Sequence, residues 1–209
     1  MTIAVFGITG RTGLALARAA GARGLAVRGM TRGSELPTEL RDVQLVRGTF
    51  ADTDRVAEAV AGVDAVCCVI GPRPPSREAF CAAATAAIVG AMREAGCGRL
   101  LCLTGAMIGS APGNRSRPMH WMARSFARHA PTIAHDRAEQ EHIVEASGLD
   151  WTIVKPPRLT DGSPSGSVQA ATDLPVGLCS KISRADLAEF MLEEIARAAF
   201  VHQRVFVRS

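Results

Sequence analysis

The chain has 209 residues, enough for one α/β core, and its hydrophobic share of 47% is that of a folded protein and excludes a disordered one. The formal net charge is +4. It comes from arginines spread along the chain, with lysine only at Lys155 and Lys181, which argues against a nucleic-acid-binding arm. No apolar run approaches membrane-spanning length, so a membrane partner is not expected.

Short apolar runs alternate with helical patterns. Strands are predicted at Thr2–Phe6, Ala26–Thr31, Val43–Arg47, Ala65–Ile70, Arg99–Leu103, Trp151–Lys155 and Val205–Arg208. Helices are predicted at Arg11–Arg23, Thr53–Ala61, Ser76–Ala95 and Arg184–Ala199, with a further one ending at Ser147-Gly148, where Gly148 suits the residue after a helix. This alternation predicts a Rossmann-type α/β fold: a doubly wound parallel sheet in the order 3-2-1-4-5-6, one domain over residues 1–209. Two stretches rich in Gly and Pro, Gly109–Pro118 and Pro156–Gly177, read as loops. Both follow strand C-termini, where open α/β sheets bind ligands, so they are expected to wall the substrate site.

The six cysteines form no CxxC pair and have no histidine at zinc-finger spacing, so buried, reduced thiols are expected. Cys67 and Cys68 are adjacent on one strand and should face opposite sides of the sheet. The first residues carry no basic segment and no small-residue cleavage site before a glycine loop begins, so the expected location is cytoplasmic.

That loop is Gly7-Ile8-Thr9-Gly10-Arg11-Thr12-Gly13, a GxxGxxG pattern between the first strand and first helix. A side chain at Gly7 would obstruct the tight turn. One at Gly10 would hold the backbone off a pyrophosphate, and one at Gly13 would hold the helix off the sheet. The helix N-terminus then faces the anion. An NAD site places an acid at the end of the second strand. Here that place reads Met30-Thr31-Arg32-Gly33-Ser34, with no acid before Glu35. Arg32 suits a 2′-phosphate, Arg11 suits either the adenine face or the same phosphate, and Thr31 or Ser34 can add a hydroxyl. The expected cofactor is NADP(H).

The run Val5-Phe6-Gly7-Ile8-Thr9-Gly10-Arg11-Thr12-Gly13 resembles the atypical short-chain dehydrogenase/reductases. So do Ala61-Gly62-Val63-Asp64-Ala65-Val66, Ala146–Pro157 and Ser180–Ala188. Length and order are similar to the biliverdin reductase B and flavin reductase group and to bacterial NAD(P)H-binding, NmrA-like proteins. The resemblance runs through nearly the whole chain and is poorest in the middle loop. It implies that Thr49 and Phe50 lie near the adenine, although the family usually has Asp at the position of Thr49. It also implies that Gly71, Pro72 and Arg73 cover the ribose and pyrophosphate, and that Leu103, Thr104, Pro156 and Pro157 flank the nicotinamide. The chain has no tyrosine, so the tyrosine acid of ordinary short-chain dehydrogenases is impossible. The relatives' Thr-Ser after the fifth strand is here Thr104-Gly105, leaving Thr104 or Ser110 to supply the hydroxyl. Met107 and Ser110 stand where the relatives carry bulky aromatics, and Arg158 follows the double proline where biliverdin reductase B has His. Gly105, Met107, Ser110 and Arg158 are therefore the expected substrate contacts, and Thr104 and Arg158 the catalytic candidates.

Several residues read two ways. Arg158 either holds an anionic or electron-rich part of the substrate or sits on the surface. Lys155 either approaches the cofactor or forms a structural salt bridge. His120 and Trp121 either line the pocket or begin a helix that packs on the domain, and packing is favoured. His135, Asp136, Glu139, Glu141 and His142 suggest either a metal site or a charged outer face, and their mixed spacing favours the outer face, so no metal is expected. The expected activity is NADPH-dependent transfer of hydride to a planar conjugated acceptor: a flavin, quinone, tetrapyrrole or pathway intermediate. A flavin or bilin can take its proton from solvent, so no strong side-chain acid is required. The rivals are a non-enzymatic NADP(H) sensor of the NmrA type and a biosynthetic isomerase or dehydratase. A monomer is expected.

Overall fold

A computed structural model describes residues 1–33, 37–72, 78–109 and 113–209. Its strands are β1 (Thr2–Phe6), β2 (Ala26–Thr31), β3 (Gln44–Arg47), β4 (Ala65–Cys68), β5 (Arg99–Leu103), β6 (Asp150–Lys155), β7 (Arg158–Thr160), β8 (Gln169–Ala171), β9 (Lys181–Ser183) and β10 (Gln203–Arg208). Its α-helices are α1 (Arg11–Ala22), α2 (Thr53–Val60), α3 (Cys81–Glu94), α4 (Arg117–His129), α5 (Pro131–Glu145) and α6 (Arg184–Arg197).

The main sheet runs β3-β2-β1-β4-β5-β6-β10-β8. Its first six strands keep the expected 3-2-1-4-5-6 order. β10 extends the sheet in parallel beside β6, and β8 closes that edge antiparallel to β10. Because β1, β4, β5 and β6 are parallel, their C-terminal ends share one edge, and the chain reverses its winding between β1 and β4. That reversal opens the crevice where such sheets take ligands.

Both faces of the sheet are covered, so β1 and β4 are apolar on both sides. Ala4, Phe6, Val66 and Cys68 pack with α2 and α3 on one face. Ile3, Val5, Ala65 and Cys67 pack with α1 and α6 on the other, so the adjacent cysteines do face opposite ways. A smaller cluster of Ala106, Met119, Val176 and Phe206 anchors α4. Five cysteines are buried free thiols, and Cys179, against expectation, is exposed.

Other departures have local causes. The stretch expected as loop from 156 to 177 contains β7, which pairs in parallel with β9, and β8. Within the stretch expected as loop from 109 to 118, Ser116 caps α4 by accepting from the Met119 N–H, and Pro118 lies in the first turn, where a missing N–H costs nothing. The third helix, expected from Ser76, is described from Cys81; Ser76 lies outside the described residues. Its first turn is capped from a distance: Asp136 of α5 accepts from the N–H groups of Cys81 and Ala82, at 3.0 Å each. Asp136, Arg137, Gln140 and Glu141 are in fact buried. Of the residues expected on a charged outer face, His135, Glu139 and His142 are exposed as expected, whereas Asp136 and Glu141 turn inward, because their side chains satisfy main-chain and side-chain groups inside the fold. His120 and Trp121 lie in the first turns of a helix that packs on the domain, as favoured, but the packing is made by Met119 and Ala123, and Trp121 itself is 73% exposed.

Candidate functional site

The glycine loop is built for close approach. Gly7 has φ +89°, and a Cβ there would lie 2.8 Å from the Val69 carbonyl of the segment after β4. A Cβ on Gly13 would lie 2.3 Å from the Gly7 oxygen, so only glycine lets α1 pack this close to the turn. The Gly10 N–H closes the turn on the Gly7 carbonyl at 2.9 Å. Gly10 caps α1 with no side-chain acceptor, and no acid stands in the first turn. The helix therefore presents its positive end at the crevice without an internal anion, and the cradle fits a dinucleotide diphosphate.

At the end of β2, Thr31 is buried and its hydroxyl accepts from the Gly33 N–H at 3.1 Å, while Arg32 is exposed. Arg11, the other guanidinium expected at the phosphates, donates to Asp161 at 2.9 Å, and Arg184 reaches the same carboxylate at 2.7 Å. Thr12 is buried and Thr9 half-buried in the loop, and Thr49 is exposed. Phe50 is half-buried beside Phe6, with ring centroids 6.0 Å apart. Gly71 and Pro72 follow β4 at the crevice edge. Arg73 and Ser110, like Ser34 and Glu35, lie outside the described residues.

The ends of β5 and β6 are zipped together: Thr104 N–H donates to the Val154 carbonyl at 3.0 Å and Ala106 N–H to the Pro156 carbonyl at 2.8 Å. This brings Thr104, Gly105, Pro156 and Pro157 into one wall. Leu103 instead turns its side chain into the core. Met107 packs against the small α4 cluster rather than standing free, and Arg158 is exposed at the start of β7.

Beneath this wall lies a charged floor that sequence reasoning did not assemble. Arg137 donates to the carbonyls of Ile70, Leu103 and Thr104, at 2.9 Å each. Arg115 donates to those of Ala106, Ile108 and Gly109, at 2.7 to 2.8 Å. Lys155 (1% exposed) pairs with Glu141 (2% exposed) and donates to the Ile108 carbonyl at 3.0 Å. The Thr104 hydroxyl, a catalytic candidate, donates to Glu141 Oε1 at 2.6 Å. Among the described residues, Glu141 Oε2 has no hydrogen-bond partner. It lies under Gly109, whose φ of +64° suits glycine and whose added Cβ would come within 2.8 Å of that oxygen.

Burial pushes the Lys155 ammonium down to about 8, against the pull of Glu141, and Arg204 and Arg115 add to the depression. Of the two readings open for Lys155, the salt bridge is what forms. The one available sequence signal for this floor was the spacing of Asp136, Arg137, Gln140, Glu141 and Val144, which marks a single helix face. Among the described residues no cluster of three His, Cys, Asp or Glu is placed to hold a metal, and no helix is long and apolar enough to cross a membrane.

Comparison with known proteins agrees with this architecture. A Burkholderia pseudomallei protein, provisionally named as exported, superposes with a TM-score of 0.80 at 25% identity, with all of both chains covered. The Escherichia coli O157:H7 anaerobilin reductase ChuY gives a TM-score of 0.82 at 21% identity, covering all of this chain and 97% of that one. A Veillonella parvula short-chain dehydrogenase/reductase, solved in complex with NADP, gives 0.80 at 16% identity, covering all of this chain and 94% of the other. The fold is thus that of the short-chain dehydrogenase/reductases, as the glycine loop led us to expect. A family model described as NAD(P)H-binding matches residues 7–198, and the chain belongs to that family.

Proposed function

We propose that this protein is an NADPH-dependent reductase that passes hydride to a planar conjugated acceptor: a flavin, a quinone, a tetrapyrrole or an intermediate of that shape. The observation that carries the reading is the pairing of an anion cradle at the winding reversal with an exposed arginine, and no described acid, at the end of β2. When bound, the coenzyme supplies hydride from the nicotinamide ring. The chain's own part is placement. The N–H groups of the Gly7–Gly13 loop hold the diphosphate, Arg32 takes the 2′-phosphate, and Gly71 and Pro72 cover the adenosine side. Thr104, Gly105, Pro156 and Pro157 wall the nicotinamide end, where the acceptor stacks with Arg158 at its rim. The name of one neighbour, an anaerobilin reductase, supports a conjugated acceptor of this kind.

Calorimetry tests the coenzyme half. NADPH is expected to bind at least tenfold more tightly than NADH. Arg32→Ala should cost NADPH about 1.5–3 kcal/mol, the contribution of a charged hydrogen bond, and leave NADH unchanged. Equal binding of the two coenzymes by the unaltered protein would remove the selectivity claim. NADPH oxidation with riboflavin or dichlorophenolindophenol tests the reductase half. A second reading, an NADP(H) sensor, draws on Gly105 lacking a hydroxyl and on Thr104 donating inward to Glu141. Tight NADP⁺ binding with no turnover on any acceptor would favour it.

A further inference from the structure

We infer that Lys155, Glu141 and Thr104 form a proton relay serving the reductase site, with the Thr104 hydroxyl as the group that hands a proton to the acceptor. This rests on the reductase reading and supplies the proton source that reading leaves to solvent. Hydride brings two electrons and one hydrogen to the acceptor, which then carries an extra negative charge. Thr104 Oγ1 gives its proton to that charge and takes one from Glu141 Oε1. Glu141 takes it from Lys155 Nζ. The step ends with a neutral Lys155 amine, an ionised Glu141 and an intact Thr104 hydroxyl, and Lys155 regains its proton from water. No oxidant or reductant beyond the coenzyme and its acceptor is needed.

Three independent features carry the inference. Thr104 Oγ1 and Lys155 Nζ both contact the same carboxylate oxygen, Glu141 Oε1, so the two proton transfers share one atom. The shared carboxylate leaves its second oxygen without a partner among the described residues, although it is almost fully buried. An unpaired buried carboxylate oxygen is costly, and taking a proton during the relay lowers that cost. The chain also holds no tyrosine, so the usual acid of this fold has no candidate.

The electrostatics agree. Facing Lys155 are Glu141 from α5, Arg115 from the segment between β5 and α4, and Arg204 from β10; the Phe206 ring of β10 lies 6.0 Å away. Burial and the two arginines favour the neutral amine while Glu141 favours the ammonium, leaving a group that exchanges its proton near pH 8. The relay is therefore loaded below about pH 8 and empty above it.

The test uses the full chain and exploits its having two lysines. With lysine labelled at Cε, NMR titration of the cofactor-free protein gives two signals, and Lys155→Arg assigns them. Lys155 should titrate near 8, and Glu141→Gln should lower that midpoint. In turnover, kcat should fall above the same pH. Thr104→Val should lower kcat about a hundredfold, the usual scale of a general acid, and Thr104→Ser should restore most of it. Lys155→Arg keeps the ion pair but cannot release a proton, so its kcat should be low and without the alkaline limb. In Lys155→Arg, NADP⁺ affinity should stay within about twofold. A Lys155 midpoint above about 10, or a Thr104→Val protein with the unaltered rate and pH profile, overturns the relay. Turnover that ignores pH sinks the relay alone, whereas NADP⁺ binding with no turnover sinks the reductase reading and the relay with it.

Discussion

Two ion pairs, each with a buried carboxylate, occupy opposite edges of the same mostly parallel sheet, and they are built differently. Arg99, at the start of β5, reaches Glu194 of α6 at 2.9 Å, and it also donates to the Asp150 carbonyl and the Thr152 hydroxyl. Glu194 Oε1 further accepts from the Phe200 N–H at 2.8 Å. That pair joins α6 to two strands and the chain leading into β10, far from the ligand edge. Lys155 and Glu141, at the ends of β6 and α5, combine a titratable cation with a half-satisfied anion beneath the glycine-loop edge. A guanidinium holds its proton at any physiological pH, and an ammonium under desolvation does not. The choice of cation makes one pair a clamp and the other a proton store.

The largest effect should come from breaking the clamp. Arg99→Met strands the Glu194 charge in the interior, and about 3–5 kcal/mol of stability should be lost, read from the urea midpoint. Because the clamp lies at the far edge, the alkaline limb of kcat should not move. A shift in that limb would mean the two edges are coupled and the contrast is false.

A smaller effect separates the pairs by pH. The Lys155 ammonium is depressed from 10.5 to about 8, so between those values the unfolded chain holds a proton that the folded chain has released. The contribution of Lys155 to stability should therefore rise as pH climbs from about 8 to about 10.5, with its deficit present in full below 8. The buried thiols of Cys67 and Cys81, which burial pushes up, oppose it above about 9, so it is read as the difference from Lys155→Arg. At 1.36 kcal/mol per pKa unit the gain is at most about 3 kcal/mol. In Lys155→Arg this contribution should vanish. Urea midpoints of the two proteins across this range decide it, and curves that run parallel would show that Lys155 is not depressed.

These contrasts also explain what the sequence made legible. The order of the first six strands followed from apolar runs covered on both faces, and the turn Gly7–Gly13 from its strand–glycine–helix context. β7, β8 and β9 were not legible. Each has three residues, too few for an alternation, and β8 takes its place from pairing with β10. The floor of the site was hidden for another reason. Polar residues are normally read as exposed, yet Asp136 and Arg137 turn inward because a helix start and strand ends leave main-chain groups that need partners, and Glu141 because it pairs with the side chains of Lys155 and Thr104. Those partners lie 14 to 67 residues away in the chain, beyond any local period. Thr104 was identifiable as a candidate, but its link to Glu141 was not.

The smallest expected effect concerns a third charged group, at the surface. Asp161 is bridged by Arg11 of the glycine loop and by Arg184 at the start of α6. Arg11 and Asp161 are largely exposed, so water and salt screen their attraction, and Asp161→Asn should change stability by less than about 1 kcal/mol. Its consequence should appear in binding instead. With Asp161 neutral, the Arg11 guanidinium is released from a competing anion at the mouth of the diphosphate cradle. NADPH affinity should then rise severalfold at low salt, and the gain should shrink as salt is added. Calorimetry at two ionic strengths makes the measurement. A loss of affinity would mean instead that the Arg11–Asp161 bridge itself shapes the cradle. The surface pair would then belong with Lys155 and Glu141 as a working part of the ligand edge.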